Sequence, residues 1–407
     1  MNSNALRSGL CLAVAMSLVL IGPASASAQL RPEPGAIEFA SGDLLDRLRA
    51  DPFAYFRFVN RSWTTRVCEV FADEMRDLPI ARLHGDAHVE QFAVTKDAWG
   101  LDDFDDSARG PALVDIVRFL GSIDLAVRQR AWTPSRDALF DRFFEGYRKA
   151  LAEPDVGSPQ PGIVEHLRAQ APRSRAAFLE WGEMKMEPMT EASVGAVVAG
   201  MEAVARSVYA EQPDLPPGYF TIARVGWLRL GVGSAVSAKI LIRIQGPSPA
   251  PEDDELVEAK EVQSLIGIPC LEAQSDQPTL RVILGARQLG RLKPTILAAG
   301  PELVIPEVLA RGRPLRDWWI RSWDPSYREL GLSDLRSVQD LAEIAYDAGV
   351  QLGAHSVVDQ PGSRDASVRT RELARLTRLE RRIRDETLRL IEELLVGWEE
   401  LRTRAPQ

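Results

Sequence analysis

Cysteine is scarce, with 3 residues in a chain of 407. That excludes a Cys-built zinc scaffold and a disulfide-dense small secreted framework. Beyond the N-terminal segment no apolar run is long enough to cross a membrane. The chain has no Gly-x-Ser-x-Gly nucleophile elbow, Cys–His pair, full Walker loop or dinucleotide fingerprint. A basic excess is missing as well. The formal net charge is −9, and an acidic chain binds nucleic acid poorly unless its charge is segregated, so no nucleic-acid partner is expected. No internal repeat is present.

What is present begins with a filled interior. Hydrophobic residues make up 45% of the sequence, the composition of a globular core. The N-terminus carries Arg7, an apolar run from Leu10 to Ile21 and an Ala26-Ser27-Ala28 exit. These are the parts of a secretory signal peptide over residues 1–28, which predicts an exported protein, periplasmic or secreted. An uncleaved N-terminal anchor is the alternative. Cys11 lies at the very start of the apolar run, so it is not placed as a lipoprotein cysteine. Cleavage leaves Cys68 and Cys270, which either pair in an oxidising compartment or stand as separate buried thiols.

Periodicity divides the rest. Residues 41–77 read as helix interrupted at Pro52, residues 78–110 as short strands and loops, and residues 111–152 and 163–211 as helix. Pro213, Pro216, Pro217 and Gly218 mark a change of character. From Tyr219 to about Leu309 the pattern is β, with Ile240, Ile242 and Ile244 alternating with Lys239, Leu241 and Arg243. Leu256–Lys260 and Arg281–Leu289 read as further strands. Residues 334–354 and 365–402 return to helix. The expected class is α+β, in segments 29–215 (helical), 216–312 (β-rich) and 313–407 (helical).

The chemistry concentrates in two short stretches, His84-Gly85-Asp86-Ala87-His88 and Asp102-Asp103-Phe104-Asp105-Asp106. A loop carboxylate such as Asp86 accepts a proton from a substrate hydroxyl or orients it. Asp103 and Asp105, 17 and 19 residues further on, straddle Phe104 and would point to one side of an extended segment. Both then reach one hard cation through oxygen, with Gln91 able to add an amide oxygen. A solvated acidic turn is the plainer reading of that cluster. Gly231-x-Gly233-Ser234 lies between strands and could bring backbone N–H groups to a phosphate, or form an ordinary hairpin. Lys260 is either a phosphate-contacting lysine or half of a surface Lys-Glu pair; a buried lysine facing Asp103 would separate the two. His84 and His88, four apart, could serve a zinc hydrolase, but Gly85 argues against the helix such pairs use. His355 reads as a core or capping histidine.

In order along the chain, His84-Gly85-Asp86-x-His88-x-x-Gln91, Asp103-Phe104-Asp105, Gly110-Pro111 and Asp115-Ile116-Val117-Arg118 resemble the bacterial family called domain of unknown function 2252. So do Gly231-Val232-Gly233-Ser234, Lys260-Glu261, Arg281-Val282-x-x-Gly285-x-Arg287, Trp319-x-Arg321 and Leu352-Gly353-x-x-His355. The resemblance runs through most of residues 40–400. It implies a protein-kinase-like, aminoglycoside-phosphotransferase-like two-lobe fold. A central β-rich lobe would be flanked by a helical lobe, with the motifs circularly permuted. It also implies roles. Asp86 would be the catalytic-loop carboxylate and Asp103 the metal aspartate, with Asp105 as its substitute. Gly231, Gly233 and Ser234 would form the phosphate loop, and Lys260 would contact the nucleotide phosphates. Mg²⁺ and ATP would be the cofactors, and the acceptor a small molecule or a protein. Gln91 stands where the family has a metal-binding Asn. With the export signal, that keeps open an inactive kinase-like binding protein.

Overall fold

A computed structural model describes residues 30–33, 36–37, 42–153, 155–170, 174–228, 237–248, 250–272, 278–300, 303–306, 308, 317–357 and 365–404. The predicted signal peptide and the Gly231, Gly233 and Ser234 stretch lie outside the described residues.

The helical entry is α1 (Gly42–Ala50), α2 (Pro52–Phe58), α3 (Asn60–Val70) and α4 (Ala72–Met75). The break expected at Pro52 is a helix start. Pro52 occupies the first turn, where its missing N–H costs nothing, and the Asp51 carboxylate accepts from Phe53 N at 2.8 Å. Short strands follow: β1 (Ile80–Leu83), β2 (Phe92–Val94), β3 (Trp99–Leu101) and β4 (Ala108–Pro111). Then come α5 (Leu113–Gln129) and α6 (Arg136–Ala152). The region read as one helical stretch over 163–211 is α7 (Ile163–Gln170), α8 (Arg175–Met184), the two-residue β5 (Met186–Glu187) and α9 (Glu191–Glu211). The rest comprises β6 (Ile222–Leu228), β7 (Lys239–Ile244), β8 (Glu255–Glu261), α10 (Pro278–Leu289), β9 (Leu297–Ala299), β10 (Trp318–Ser322), β11 (Arg328–Glu329), α11 (Val338–His355) and α12 (Ala366–Thr403).

The class is mixed α+β. One strand assignment is overturned: Arg281–Leu289, read as a strand, is helical within α10. Its buried residues are Thr279, Arg281, Val282, Ile283, Gly285 and Leu289; the steps 279–282, 282–285 and 285–289 carry the helical three-to-four spacing, which a short apolar window disguised as alternation. The six-stranded antiparallel sheet has the order β5-β6-β7-β8-β10-β9. It therefore takes β5 from before residue 216 and β10 from beyond residue 312. A ribbon β1-β4 and a three-stranded sheet β11-β2-β3 belong to the helical body.

Period-two side-chain geometry explains how the sheet meets the site. Ile240, Ile242, Ile244, Val257, Ala259, Trp318 and Ile320 lie on one face, packed with Val197, Met201 and Val204 of α9. Glu258, Lys260, Trp319 and Arg321 therefore face the other way, toward the helical body, where they line a cavity of about 730 Å³. The larger core joins α2, α3, α5, α6, α11 and α12. Helices α6 and α11 approach so closely that a Cβ on Gly349 would stand 2.1 Å from the Phe143 carbonyl oxygen. Cys68 of α3 and Cys270, in the segment between β8 and α10, form a disulfide. This settles the pairing that the sequence left open. Among the described residues no helix is long and apolar enough to cross a membrane.

Candidate functional site

The loop carrying Asp86 is held from below by α5. Asp115 accepts from His84 N at 2.7 Å and from Gly85 N at 2.8 Å, one bond on each carboxylate oxygen. Gly85 has φ +84°, and a Cβ there would stand 1.9 Å from the Asp106 carbonyl oxygen. Only glycine meets both demands. Asp86 itself accepts from Arg118 Nε at 2.8 Å, and Arg118 Nη2 stands 2.7 Å from the same oxygen. Burial would raise the Asp86 pKa, but Arg118 and His88 outweigh it and bring it down to about 2.

His84 and His88 are both fully buried, and they face different neighbours. His84 Nε2 lies 2.8 Å from the Asp102 carbonyl oxygen. His88 stands edge-on to Phe53 with Nε2 3.5 Å from Asp86 Oδ2. Burial lowers the His88 pKa to about 4 against the pull of Asp86, which leaves the ring neutral. The zinc reading of the pair gains no third ligand: among the described residues no group of three or more His, Cys, Asp or Glu is gathered for a metal. His355 ends α11, and burial lowers its pKa to about 4.

The acidic stretch makes a turn, and the extended segment expected from the sequence is not formed. Asp103 has φ +56°, a left-handed conformation that aspartate tolerates better than most residues. The turn still brings Asp103 and Asp105 to one point. Lys260 Nζ donates to Asp103 Oδ1 at 2.8 Å and also pairs with Asp105 Oδ2. Trp319 Nε1 donates to Asp105 Oδ1 at 2.8 Å. Lys260 is 3% exposed, so it is a buried strand lysine facing Asp103 and no part of a surface pair.

The electrostatics follow from that crowding. Burial alone would lower the Lys260 pKa, but Asp103, Asp105 and Glu258 overcome it and raise it. Burial would raise the Asp103 pKa; Lys260 and Lys239 drive it well below the usual carboxylate range. Asp105 is pushed up to about 7 by burial and by the neighbouring Asp103 charge. Gln91 is buried, and its Nε2 lies 3.5 Å from the Asp103 carbonyl oxygen, which brings its amide to the same place. Two carboxylates share one ammonium, with the Gln91 amide beside the same turn; carboxylate oxygens are donors of the kind Mg²⁺ takes, and Lys260 stands where a cation would neutralise them.

Several residues complete the site that sequence reading quoted without a role or passed over. Arg321 Nη1 donates to both Asp102 oxygens at 2.8 and 3.0 Å, and its Nε donates to Glu258 at 3.1 Å. Tyr327 donates to Asp102 at 2.6 Å. Arg281 binds the carbonyl oxygens of Asp105 and Ser107. Asn60 donates to the Gly85 carbonyl oxygen and to Asp106 Oδ2, both at 2.9 Å. The alternation of β8 and β10 was the available signal for Glu258 and Arg321. No periodic signal marks Asn60, whose role depends on tertiary placement.

Asp86, Gln91, Asp103, Asp105 and Lys260 all line the same cavity, with Phe178, Trp181 and Trp323 on its apolar side. No curated protein and no solved structure matches the chain. Residues 44–175, which include the Asp86 loop, the acidic turn and α5, match the family model described as an uncharacterized protein conserved in bacteria (DUF2252).

Proposed function

We propose that this protein is a Mg²⁺- and nucleotide-dependent phosphotransferase with a kinase-like, permuted arrangement. The observation that carries the reading is the meeting of the buried Lys260 with Asp103 and Asp105 in the cavity that also holds Asp86. Phosphoryl transfer needs little covalent chemistry from a protein. It needs an in-line geometry and compensation of charge. Bound Mg²⁺ would supply charge neutralisation at the phosphates.

Each residue then has a task. Asp103 and Asp105, with Gln91, would hold the cation by oxygen. Lys260 would turn from the carboxylates to the phosphates. Asp86 would orient the acceptor hydroxyl. Strand topology supports this assignment: Lys260 sits on the third strand of the run β6-β7-β8, the Gly231-Gly233 stretch connects the first two, and a helix follows. Kinases carry their glycine loop, lysine and next helix in the same succession. One departure is plain. The kinase lysine pairs with a glutamate of that helix, whereas α10 presents Arg281 to the acidic turn and Lys260 takes its acids from the turn itself.

Gln91 favours a second reading, an exported kinase-like protein that binds a ligand without turnover. Transfer from γ-labelled ATP to a panel of hydroxyl acceptors, measured for the protein and for Asp86→Ala and Asp103→Ala, separates the two. The phosphotransferase reading predicts transfer by the parent and at least a hundredfold loss in each variant with the fold retained. Undiminished transfer in both variants defeats it, and no transfer by the parent leaves the binding reading.

A further inference from the structure

We propose that Arg118 is a positioning residue that fixes Asp86 as a permanently ionised, hydroxyl-orienting carboxylate. The inference rests on the phosphotransferase reading for its functional meaning, but the hold of Arg118 on Asp86 is testable without turnover.

One stripe of α5 grips the loop at three heights. Asp115, Arg118 and Ser122 stand at i, i+3 and i+7, hence on one helix face. Asp115 takes the backbone N–H groups of His84 and Gly85. Arg118 takes the Asp86 side chain through Nε and Nη2. Ser122 Oγ accepts from Val89 N at 3.0 Å and donates to the Phe119 carbonyl oxygen at 2.7 Å. The backbone and the one side chain that faces the cavity are thus set by the same rigid element, the condition for a precisely aimed group.

Arg118 has few other engagements. It is completely buried. Its Nη2 donates to the Phe56 carbonyl oxygen at 3.1 Å, its guanidinium lies 3.5 Å from the Phe56 ring centre, and Nη1 has no partner. A buried guanidinium needs a countercharge, and Asp86 is the carboxylate in contact with it. The fork has to be planar to reach the carboxylate and the Phe56 carbonyl together, which lysine cannot imitate.

The groups facing Asp86 from its several sides differ in sign. Arg118 comes from α5, the neutral His88 from its own loop, and Asp106 from the acidic turn, while Arg57 of α2 faces Arg118 and His88 and is itself paired with Glu90 at 3.0 Å. Asp106 repels the Asp86 charge; Arg118 dominates, and the Asp86 pKa falls to about 2. A carboxylate held there keeps no proton at neutral pH. It accepts a hydrogen bond from the acceptor hydroxyl and aims it.

The test is a carboxyl ¹³C NMR titration of the full chain labelled at aspartate, with Asp86 assigned by Asp86→Asn, in the parent, Arg118→Met and Arg118→Lys. The expected result is no titration of Asp86 above pH 4 in the parent and a midpoint raised by at least one pH unit in Arg118→Met. In Arg118→Lys the midpoint stays low but kcat falls at least tenfold with KM for nucleotide unchanged. The acid limb of kcat moves upward with the Asp86 midpoint in Arg118→Met. Identical Asp86 titration in the parent and Arg118→Met overturns the proposal, as does unchanged kcat in Arg118→Lys. If Arg118→Met does not fold, the Arg118→Lys result and the parent titration decide alone. Should the parent transfer no phosphate, the functional reading falls, and the titrations still show whether Arg118 holds Asp86 ionised.

Discussion

The Cys68–Cys270 disulfide closes a loop of 202 residues, and its removal allows a worked prediction. In the chain-entropy treatment a cross-link removes about 2.1 + 1.5R ln n cal/mol/K from the unfolded chain. For this loop that amounts to roughly 5 kcal/mol at 25 °C. The native side of the balance changes little. Arg61 of α3 already binds the carbonyl oxygens of Ser264 and Ile266, so the segment leading to Cys270 stays docked without the covalent bond. The effect therefore belongs to the unfolded state. Urea unfolding of the oxidised protein, the dithiothreitol-reduced protein and the Cys68→Ala/Cys270→Ala variant measures it. Reduction should lower the unfolding free energy by several kcal/mol, with about 5 as the upper end, and increase the m-value as the unfolded chain expands. Two free thiols in the air-oxidised protein would refute the pairing. A loss under about 1 kcal/mol would refute the entropic argument.

Other perturbations follow from the same geometry. Arg321→Met removes the cation that Asp102 and Glu258 share, and urea unfolding should show a loss of about 3–5 kcal/mol; a loss below about 1 kcal/mol would mean that water enters. Asp115→Ala strips the acceptors from the His84 and Gly85 N–H groups, at roughly 1–3 kcal/mol for each buried donor. Hydrogen exchange at those two amides should quicken, and unchanged protection would contradict the jig-like role of α5. Asp347 is buried against Trp99 Nε1 and Gln351 Nε2, at 2.7 and 2.8 Å, and burial raises its pKa to about 6 despite those donors. Its favourable contribution is complete below about pH 4 and is lost as pH rises through 6, a change of about 3 kcal/mol. Asp347→Asn should flatten the stability profile over pH 4–7, and an unaltered slope would assign it to other groups.

Much of the site was legible because its residues are close in sequence. Gly85 announces a turn, and the Asp86 and Asp103 stretches, 17 residues apart, line one cavity. The alternation in β7 and β8 placed Lys260 on a strand. Its burial against Asp103 depended on where that strand docks, which one-dimensional pattern does not encode. Arg281–Leu289 misled for a related reason. Over nine residues the helical and strand periods share enough apolar positions to be confused, and the deciding contact, Arg281 with the Asp105 and Ser107 carbonyl oxygens, lies more than 170 residues away in sequence. Arg118 stood inside a recognised motif, yet nothing in the motif says that its guanidinium meets Asp86. The Cys68–Cys270 bond was likewise undecidable before the fold was known.

The central claim is a working Mg²⁺-nucleotide site at Lys260, Asp103 and Asp105. The direct measurement is the thermal midpoint of the protein with ATP, with ATP and Mg²⁺, and with neither, beside Asp103→Ala. A ligand that binds only the folded state stabilises it by RT ln(1 + [L]/Kd), roughly 3 kcal/mol at a hundredfold excess over Kd. The account predicts a rise of several degrees that needs Mg²⁺ and disappears in Asp103→Ala. An unchanged midpoint at millimolar nucleotide with Mg²⁺ would contradict it.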